Sequence, residues 1–583
     1  MGAFLLVKKP KDLDIKQVEK EYNNSLRVFD KKGLSCYHRI DTKDYVIWAF
    51  YKYKYKVDNV VSFDNNQFVI ATGTLIYNRR MDHSVLKELF NDFSEDGKFL
   101  SKLHGEYCLI VSKDGKLYLV NDYLGLNRIY ADKQKNVVSN SYLAVLKSIE
   151  KPTVSPQELY EYSLYGSFFG IQSLIKEIDL VDSRNIWQLY PEVSAIPRIP
   201  EVAQLDSRNF DEMVAKVSEN LLDYFSIIKE NFGDNVCLGL SAGWDSRLVL
   251  ALLKKVGVKP LYLYTYPDSR QPTCVERTKI MARGEGLEID YVDDGKPPEV
   301  SEDGFEAFIE NQYFMNDGLI PVFNNGSTLD HRLKRVDKAK LQLNGGSGEI
   351  YRNFWRLPHR NIPVDGFVKS RYDIDFSMCT NRFDKNTHFS TFADKIRALL
   401  EITDNRLNEK QIAMLFPLWH ARYWMGYDNT INNQISYGLT PFNEARIALQ
   451  SLDIPLKYRN YGSFQASLIK YIDPDLAKYT SHYGYNFYAP LPIRARLKDY
   501  AKLHVPIWLK AFIRKNFWNV NDVKFQLSKK QFPLPYYLST EYRKRIFSNS
   551  ELMVAEYFDL DKIRDPELLS RVLSAELIIS NRF

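Results

Sequence analysis

Between Asn235 and Gly257 the chain reads NVCLGLSAGWDSRLVLALLKKVG, a short apolar run that meets a Ser/Gly-rich loop and then an amphipathic helix. Val236, Leu238 and Leu240 suit a buried strand. Leu248, Val249, Leu252, Leu253 and Val256 recur at helical spacing, which packs one face of the helix back onto the sheet. Within the loop, Ala242 and Gly243 carry little or no side chain. A polyphosphate could therefore approach backbone N–H groups, with the Ser241 and Ser246 hydroxyls and the helix N-terminus as further donors. Leu240, Ser241, Ala242, Gly243, Asp245 and Ser246 are the candidate nucleotide-contacting positions, and Asp245 could hold the magnesium that such a polyanion brings. The alternative is an ordinary strand-to-helix turn in which Asp245 and Ser246 cap the helix.

A chain of 583 residues is too long for one core and implies two to four domains. The net charge of +6 is small against 79 basic and 73 acidic residues, so no field strong enough to point to nucleic acid arises. Cys36, Cys108, Cys237, Cys274 and Cys379 are odd in number, widely spaced and never in a C-x-x-C pair, which speaks against a disulfide framework and structural zinc. No apolar run approaches the ~18 residues of a spanning helix, and a cytoplasmic location is expected.

Residues 1–185 read mainly as short strands (FLLV, YVIWAF, QFVIATGTLIY, EYCLIV, KLYLV) with helical segments near 84–102 and 155–165, an α+β layer domain. Residues 186–209 hold three prolines and little periodicity and are the candidate linker. Over 210–583, strand–helix alternation (LYLYTY, VERTKIMARGEGL, EIDYVD) implies an α/β parallel sheet, followed by a predominantly helical end.

The hexapeptide Ser241–Ser246 resembles the S-G-G-x-D-S pyrophosphate loop of ATP pyrophosphatases, with Ala242 where the first glycine is usual; no G-x-x-x-x-G-K-[ST] motif occurs. Upstream, the stretch from His104 to Asp132, with Asn121-Asp122-Tyr123-Leu124-Gly125 at its centre, resembles the glutaminase-type domain of asparagine synthetases. The order of the two parts is that of the asparagine synthetase family. The resemblance implies a layered αββα glutaminase-like domain, then a linker, then a parallel-sheet ATP-pyrophosphatase domain with a helical C-terminal part.

In family members that use glutamine, a Cys at position two attacks the amide. Here that position is Gly2, and the oxyanion-hole element aligns with Gly73–Asn78, which puts Gly73 in place of the amide donor. Losing one oxyanion donor alone costs about two to three orders of magnitude, so no glutamine hydrolysis is expected. Cys36 and Cys108 lie in strand-like runs and read as buried structural thiols.

In the second half, the resemblance places Leu261–Tyr266 at the adenine edge and Glu276 on a helix similar to the family's E-x-x-x-A segment. Leu341–Glu349 resembles the strand and G-E-G-x-D-E element that faces the pyrophosphate loop. Gly346, Ser347 and Glu349 match, whereas Gly345 and Gly348 replace carboxylates. Glu349 is a candidate metal ligand, with Asp245, or a general base for an incoming amine. Gly438–Glu444 resembles the family's E-x-R-V-P-F-x-D stretch, with Tyr437 and Leu439 where Glu and Arg are usual. The family's phosphate-stabilising lysine corresponds to Lys457 or Lys470, with Lys457 the first choice. Val505–Trp518 reads as a core helix with a basic outer stripe, a membrane-surface helix being the alternative.

The resemblance implies ATP-dependent amide-bond formation through an acyl-adenylate, with ATP and Mg2+ as cofactors and small-molecule or peptide carboxylates and amines as substrates. β-Lactam synthetases and lasso-peptide cyclases resemble this pairing of a degenerate first domain with an active second one. Asparagine synthesis from aspartate and a non-catalytic nucleotide-binding pseudoenzyme are the alternatives. A homodimer is possible, and no nucleic-acid partner or transmembrane segment is expected.

Overall fold

Period-two alternation in the first strands dictates the layering of the N-terminal half. In Ala3–Lys8, Phe4 and Leu6 turn to one face and Ala3, Leu5 and Val7 to the other; in Phe68–Tyr77, Phe68 and Ile70 oppose Val69 and Ala71. The computed structural model, which describes residues 1–10, 13–64, 66–205, 209–266, 273–292, 301, 303–323, 328–357, 361–513 and 552–583, shows where each face goes. Phe4, Leu6, Phe68 and Ile70 meet in a core between two six-stranded antiparallel sheets. One sheet runs Ile178–Leu180, Tyr130–Asp132, Val137–Ser139, Ala3–Lys8, Tyr45–Phe50, Cys36–Asp41; the other runs Ser194–Pro197, Asn185–Tyr190, Lys116–Asn121, Leu103–Lys113, Phe68–Tyr77, Val60–Ser62. Helices cover both outer faces: Asn23–Lys31 and Pro156–Tyr165 on the first sheet, Ser84–Asp92 on the second. The result is an α-β-β-α stack.

The third sheet is parallel, in the order Asp290–Tyr291, Tyr262–Thr265, Val236–Gly239, Leu341–Leu343, Tyr437–Leu439. From the central Val236–Gly239 strand the chain first builds outward on one side and then crosses to the other. The switch point therefore falls between Val236–Gly239 and Leu341–Leu343, and the crevice beyond their carboxyl ends is where such sheets bind ligands. Helices Phe210–Phe232, Asp245–Lys255 and Ser463–Ile472 share one hydrophobic core with these strands.

The two halves are not separated by a free linker. Asn185–Tyr190 and Ser194–Pro197, inside the stretch read as a linker, extend the second antiparallel sheet. The helix Arg422–Ile435 docks on the first half. Arg128 Nη2 donates to the carbonyls of Arg422 and Tyr423 at 3.1 and 2.5 Å, and Thr74 Oγ1 donates to Asn433 Oδ1 at 2.7 Å. The C-terminal helix Pro566–Ile579 joins the same core as Ala3 and Leu5.

Two further expectations, about Cys36 and about Val505–Trp518, also need correction. Cys36 is exposed, whereas Cys108 is buried as expected. Helix Ile507–Ile513 has no buried residue, with Trp508 and Phe512 largely exposed, so it is not a core helix; residues 514–518 of the same stretch lie outside the described residues. Among the described residues no helix is long and apolar enough to cross a membrane.

Candidate active site at the switch point

The loop after Val236–Gly239 is closed by its own serines. Ser241 N donates to Ser246 Oγ at 2.9 Å, the two hydroxyl oxygens lie 3.0 Å apart, and Gly243 N reaches Ser241 Oγ at 3.3 Å. Helix Asp245–Lys255 starts directly from this turn, and no side chain caps its N-terminus at Trp244. Its first-turn N–H groups, with the positive end of the helix dipole, are thus available to an anion in the crevice. Leu240 is fixed by donation from its N–H to the Tyr264 carbonyl at 2.8 Å. Ala242 is buried, and its carbonyl accepts from Arg247 Nη2 at 3.0 Å. Arg247 also holds the Tyr479 carbonyl at 2.7 Å and lies over the Phe487 ring, on which Trp244 stacks at 3.8 Å. Distant residues 479–487 therefore anchor the loop.

Parallel pairing of Leu341–Leu343 with Val236–Leu238 brings the turn Asn344–Ser347 against the loop. The approach is close. A Cβ on Gly345 would lie 2.8 Å from Ser246 Cα, and one on Gly348 would lie 2.3 Å from Asp245 Oδ1. Gly345 and Gly348 are therefore positions where this packing leaves no room for a side chain. Gly346 N donates to Asn344 Oδ1 at 2.9 Å, which shapes the turn.

Asp245 and Glu349 come together, and a guanidinium joins them. Arg352 Nη2 reaches both Asp245 oxygens and, at 2.9 Å, Glu349 Oε1; Gln465 Nε2 donates to Asp245 Oδ1 at 2.7 Å. Burial raises the Asp245 carboxyl above its ordinary range. Arg352 pulls it back and the neighbouring Glu349 adds to the rise. This donor set does not fit a carboxylate-held magnesium ion, because both acids already share one cation and Asp245 accepts from a third group. Among the described residues no cluster of three or more His, Cys, Asp or Glu side chains could hold a metal. Arg352 is the cation that these two acids share.

The crevice is a cleft of about 820 Å3 lined by Leu240, Ser241, Asp245, Ser246, Asn344 to Ser347 and Glu349. Thr265 and Tyr266 lie along it, and Phe354, Phe416, His420 and Trp424 form an aromatic wall. Burial pushes the His420 imidazole down to about 4, so it is neutral at pH 7; Glu349 partly offsets this and Arg371 adds to it. Lys457 is elsewhere. It is exposed on the short helix Leu456–Arg459, with Nζ over the Tyr458 ring, and Lys470 is likewise exposed, over Tyr488; neither lines the cleft. Sequence reading missed Arg352, Gln465, Arg247 and His482, whose Cε1 would be 3.1 Å from a Cβ on Gly243. Arg352 alone carried a local signal, standing three residues after Glu349 on one helical turn.

In the N-terminal half, the two positions that differ from the glutaminase pattern are sterically closed. A Cβ on Gly2 would lie 2.8 Å from the Gln434 carbonyl oxygen and 2.9 Å from Lys52 Cα. Gly73, at φ +83°, would place one 2.3 Å from the Glu106 carbonyl oxygen.

No family model matches the chain, and no curated protein matches it. Among solved structures, the glutamine phosphoribosylpyrophosphate amidotransferase from B. subtilis complexed with ADP and GMP aligns over 52% of this chain and 68% of that chain, at 11% identity and a TM-score of 0.21. A superposition that loose bears on neither the mechanism nor the substrate of this chain.

Proposed function

We propose that the switch-point cleft binds ATP and activates a carboxylic acid by adenylation, and that the acyl-adenylate is then captured by an amine. The observation that carries this reading is the self-closed Ser241–Ser246 loop feeding an uncapped helix N-terminus at the carboxyl edge of a parallel sheet. Such a turn holds a polyphosphate through backbone N–H groups. In the first step a carboxylate oxygen attacks the α-phosphorus of ATP, and the bond to the bridging oxygen breaks, releasing pyrophosphate. In the second, the amine nitrogen attacks the acyl carbon, AMP leaves, and one proton is lost from nitrogen. Glu349, which lines the cleft, would take the amine proton, and Arg352, bound to both Glu349 and Asp245 from the side, would hold the two acids in place.

The N-terminal half supplies no nitrogen in this reading, since the closed environments of Gly2 and Gly73 support the loss of glutamine hydrolysis. The nitrogen source is a substrate amine or ammonia.

The test is pyrophosphate release from ATP by the purified protein against pools of carboxylates and amines, alongside ATP binding by calorimetry, with Asp245→Asn as control. Release that depends on a carboxylate pool and on Asp245 supports adenylation. One observation favours a second reading: both acids of the site are held by Arg352, as suits a protein that binds nucleotide without turning it over. ATP binding with no release under any pool would favour it, and absence of ATP binding would sink both.

A further inference from the structure

A second cavity, of about 770 Å3, lies behind the cleft, and Glu349, Phe354, His482 and Tyr483 line both. Its far side is the helix Ile493–His504, which contributes Lys498, Asp499 and Lys502; its floor includes Arg352, Arg356, Arg371 and Arg459. Three of these cations are committed. Arg352 holds Asp245 and Glu349, and Arg459 donates to the carbonyls of Ile350, Ser451 and Ile454. Arg371 donates to the Trp355 carbonyl.

Arg356, Lys498 and Lys502 form no ion pair among the described residues, and Asp499 is the one carboxylate on their side of the cavity. The charges act on one another. The Lys502 ammonium is held below its ordinary value by burial, then by Arg356 and Lys498. Nearby Lys510, whose Nζ donates to the Arg356 carbonyl, is pushed down to about 8 by burial, Arg371 and Arg356. Asp499 offsets part of this, but three cations against one carboxylate leave a concave excess of positive charge that concentrates anions and is relieved by binding one. Its size suits a metabolite-sized ligand.

We infer that this chamber seats the acid substrate, and that the acid carries at least one oxyanion besides the carboxylate that reacts. The inference rests on the adenylation reading above. A ligand whose further charges lie on Arg356, Lys498 and Lys502 can direct its reacting carboxylate past Arg352 towards the nucleotide cleft, because Glu349 and Tyr483 border both spaces. An acid with a single charge leaves most of the cluster uncompensated.

The experiment is calorimetry on the full chain with bound α,β-methylene-ATP, titrating citrate, acetate and inorganic pyrophosphate into the wild type, Lys498→Glu/Lys502→Glu and the milder Lys498→Ala/Lys502→Ala. The expected result is citrate binding at least tenfold tighter than acetate. Citrate should weaken at least tenfold in the charge-reversed protein and less in the alanine protein, with analogue affinity and melting temperature unchanged. Equal citrate affinity in all three proteins overturns the inference. Loss of pyrophosphate affinity alone, with citrate unmoved, also overturns it by making the chamber a product exit. If the analogue fails to bind the wild type while the citrate pattern holds, the adenylation reading falls and takes the substrate assignment with it, leaving an anion site.

Discussion

Arg352 Nη2 lies 3.0 and 2.9 Å from the two oxygens of Asp245, with Glu349 Oε1 a further 2.9 Å neighbour of the same nitrogen. The guanidinium stands where two converging carboxylates would otherwise hold a divalent cation. Removing it should expose that latent capacity. In Arg352→Ala the two acids remain close and partly buried without the cation they share, which costs about 3–5 kcal/mol. Mg2+ at millimolar concentration should recover part of the loss by raising the melting temperature of the variant, while leaving the wild type within a degree. Differential scanning fluorimetry with and without Mg2+ checks this, and an identical Mg2+ response in both proteins would show that the acids hold metal with Arg352 in place.

Gly348 sets the reciprocal test. A Cβ there meets Asp245 Oδ1 at 2.3 Å and Gln465 Nε2 at 2.6 Å, so Gly348→Asp cannot simply restore an acid to the turn. Crowding of this kind costs about 1–3 kcal/mol, and a third carboxylate adds repulsion. Gly348→Asp and Gly348→Ala should both lower the urea midpoint, the aspartate more, and both should weaken ATP binding. Tighter, Mg2+-dependent ATP binding by Gly348→Asp would mean that the turn opens readily and that Arg352 yields to metal.

Much of the scaffold was legible because it is local. The strands Tyr45–Phe50 and Lys116–Asn121, the helices Pro156–Tyr165 and Cys274–Gly284, and the strand, loop and helix around Ser241 all follow from periodicity and turn chemistry within a dozen residues. The site was legible only where it is built from those units. Gln465 meets Asp245 across 220 positions, and Arg247 meets Tyr479 across 232; nothing local encodes either contact. The Lys457 assignment failed for the same reason. A lysine in the expected region says nothing about which face of a four-residue helix it occupies, and here that face is solvent. The supposed linker misled because two of its three prolines, Pro191 and Pro197, punctuate a hairpin at a sheet edge, where the missing N–H donors do little harm.

The closed surroundings of Gly2 predict the fate of an obvious repair. With the Gln434 carbonyl oxygen at 2.8 Å and the Tyr51 carbonyl oxygen at 3.0 Å from a new Cβ, Gly2→Cys should lower stability by about 1–3 kcal/mol and produce no glutaminase. The double variant Gly2→Cys/Gly73→Asn should be worse in stability and no better in activity, since Gly73 is at φ +83° with Asn127 Nδ2 2.4 Å from its would-be Cβ. Glutamate release from glutamine and chemical denaturation are the readouts. Turnover by either variant would show that the N-terminal half keeps a working amide pocket.

Glu106 makes the contact between the halves depend on pH. Its Oε1 accepts from Thr440 N at 2.6 Å and its Oε2 from Asn433 Nδ2 at 3.0 Å, yet burial, with Asp122 adding to it, pushes the carboxyl up to about 8. The native state therefore keeps a proton that the unfolded chain, titrating near about 4.3, has released. The stability from this group is fully present below the unfolded value and is lost as pH rises through about 8, a slope with an upper bound of about 1.4 kcal/mol per pH unit. Glu106→Gln removes the titration while its amide oxygen can still accept from Thr440. Between pH 6 and 8.5 the wild type should lose several degrees of melting temperature relative to the glutamine variant, with the two curves diverging towards alkaline pH. Parallel curves would mean that Glu106 is already ionised in the folded protein, its charge carried by the Asn429, Asn433 and Thr440 donors, and that the halves are clamped by a buried anion.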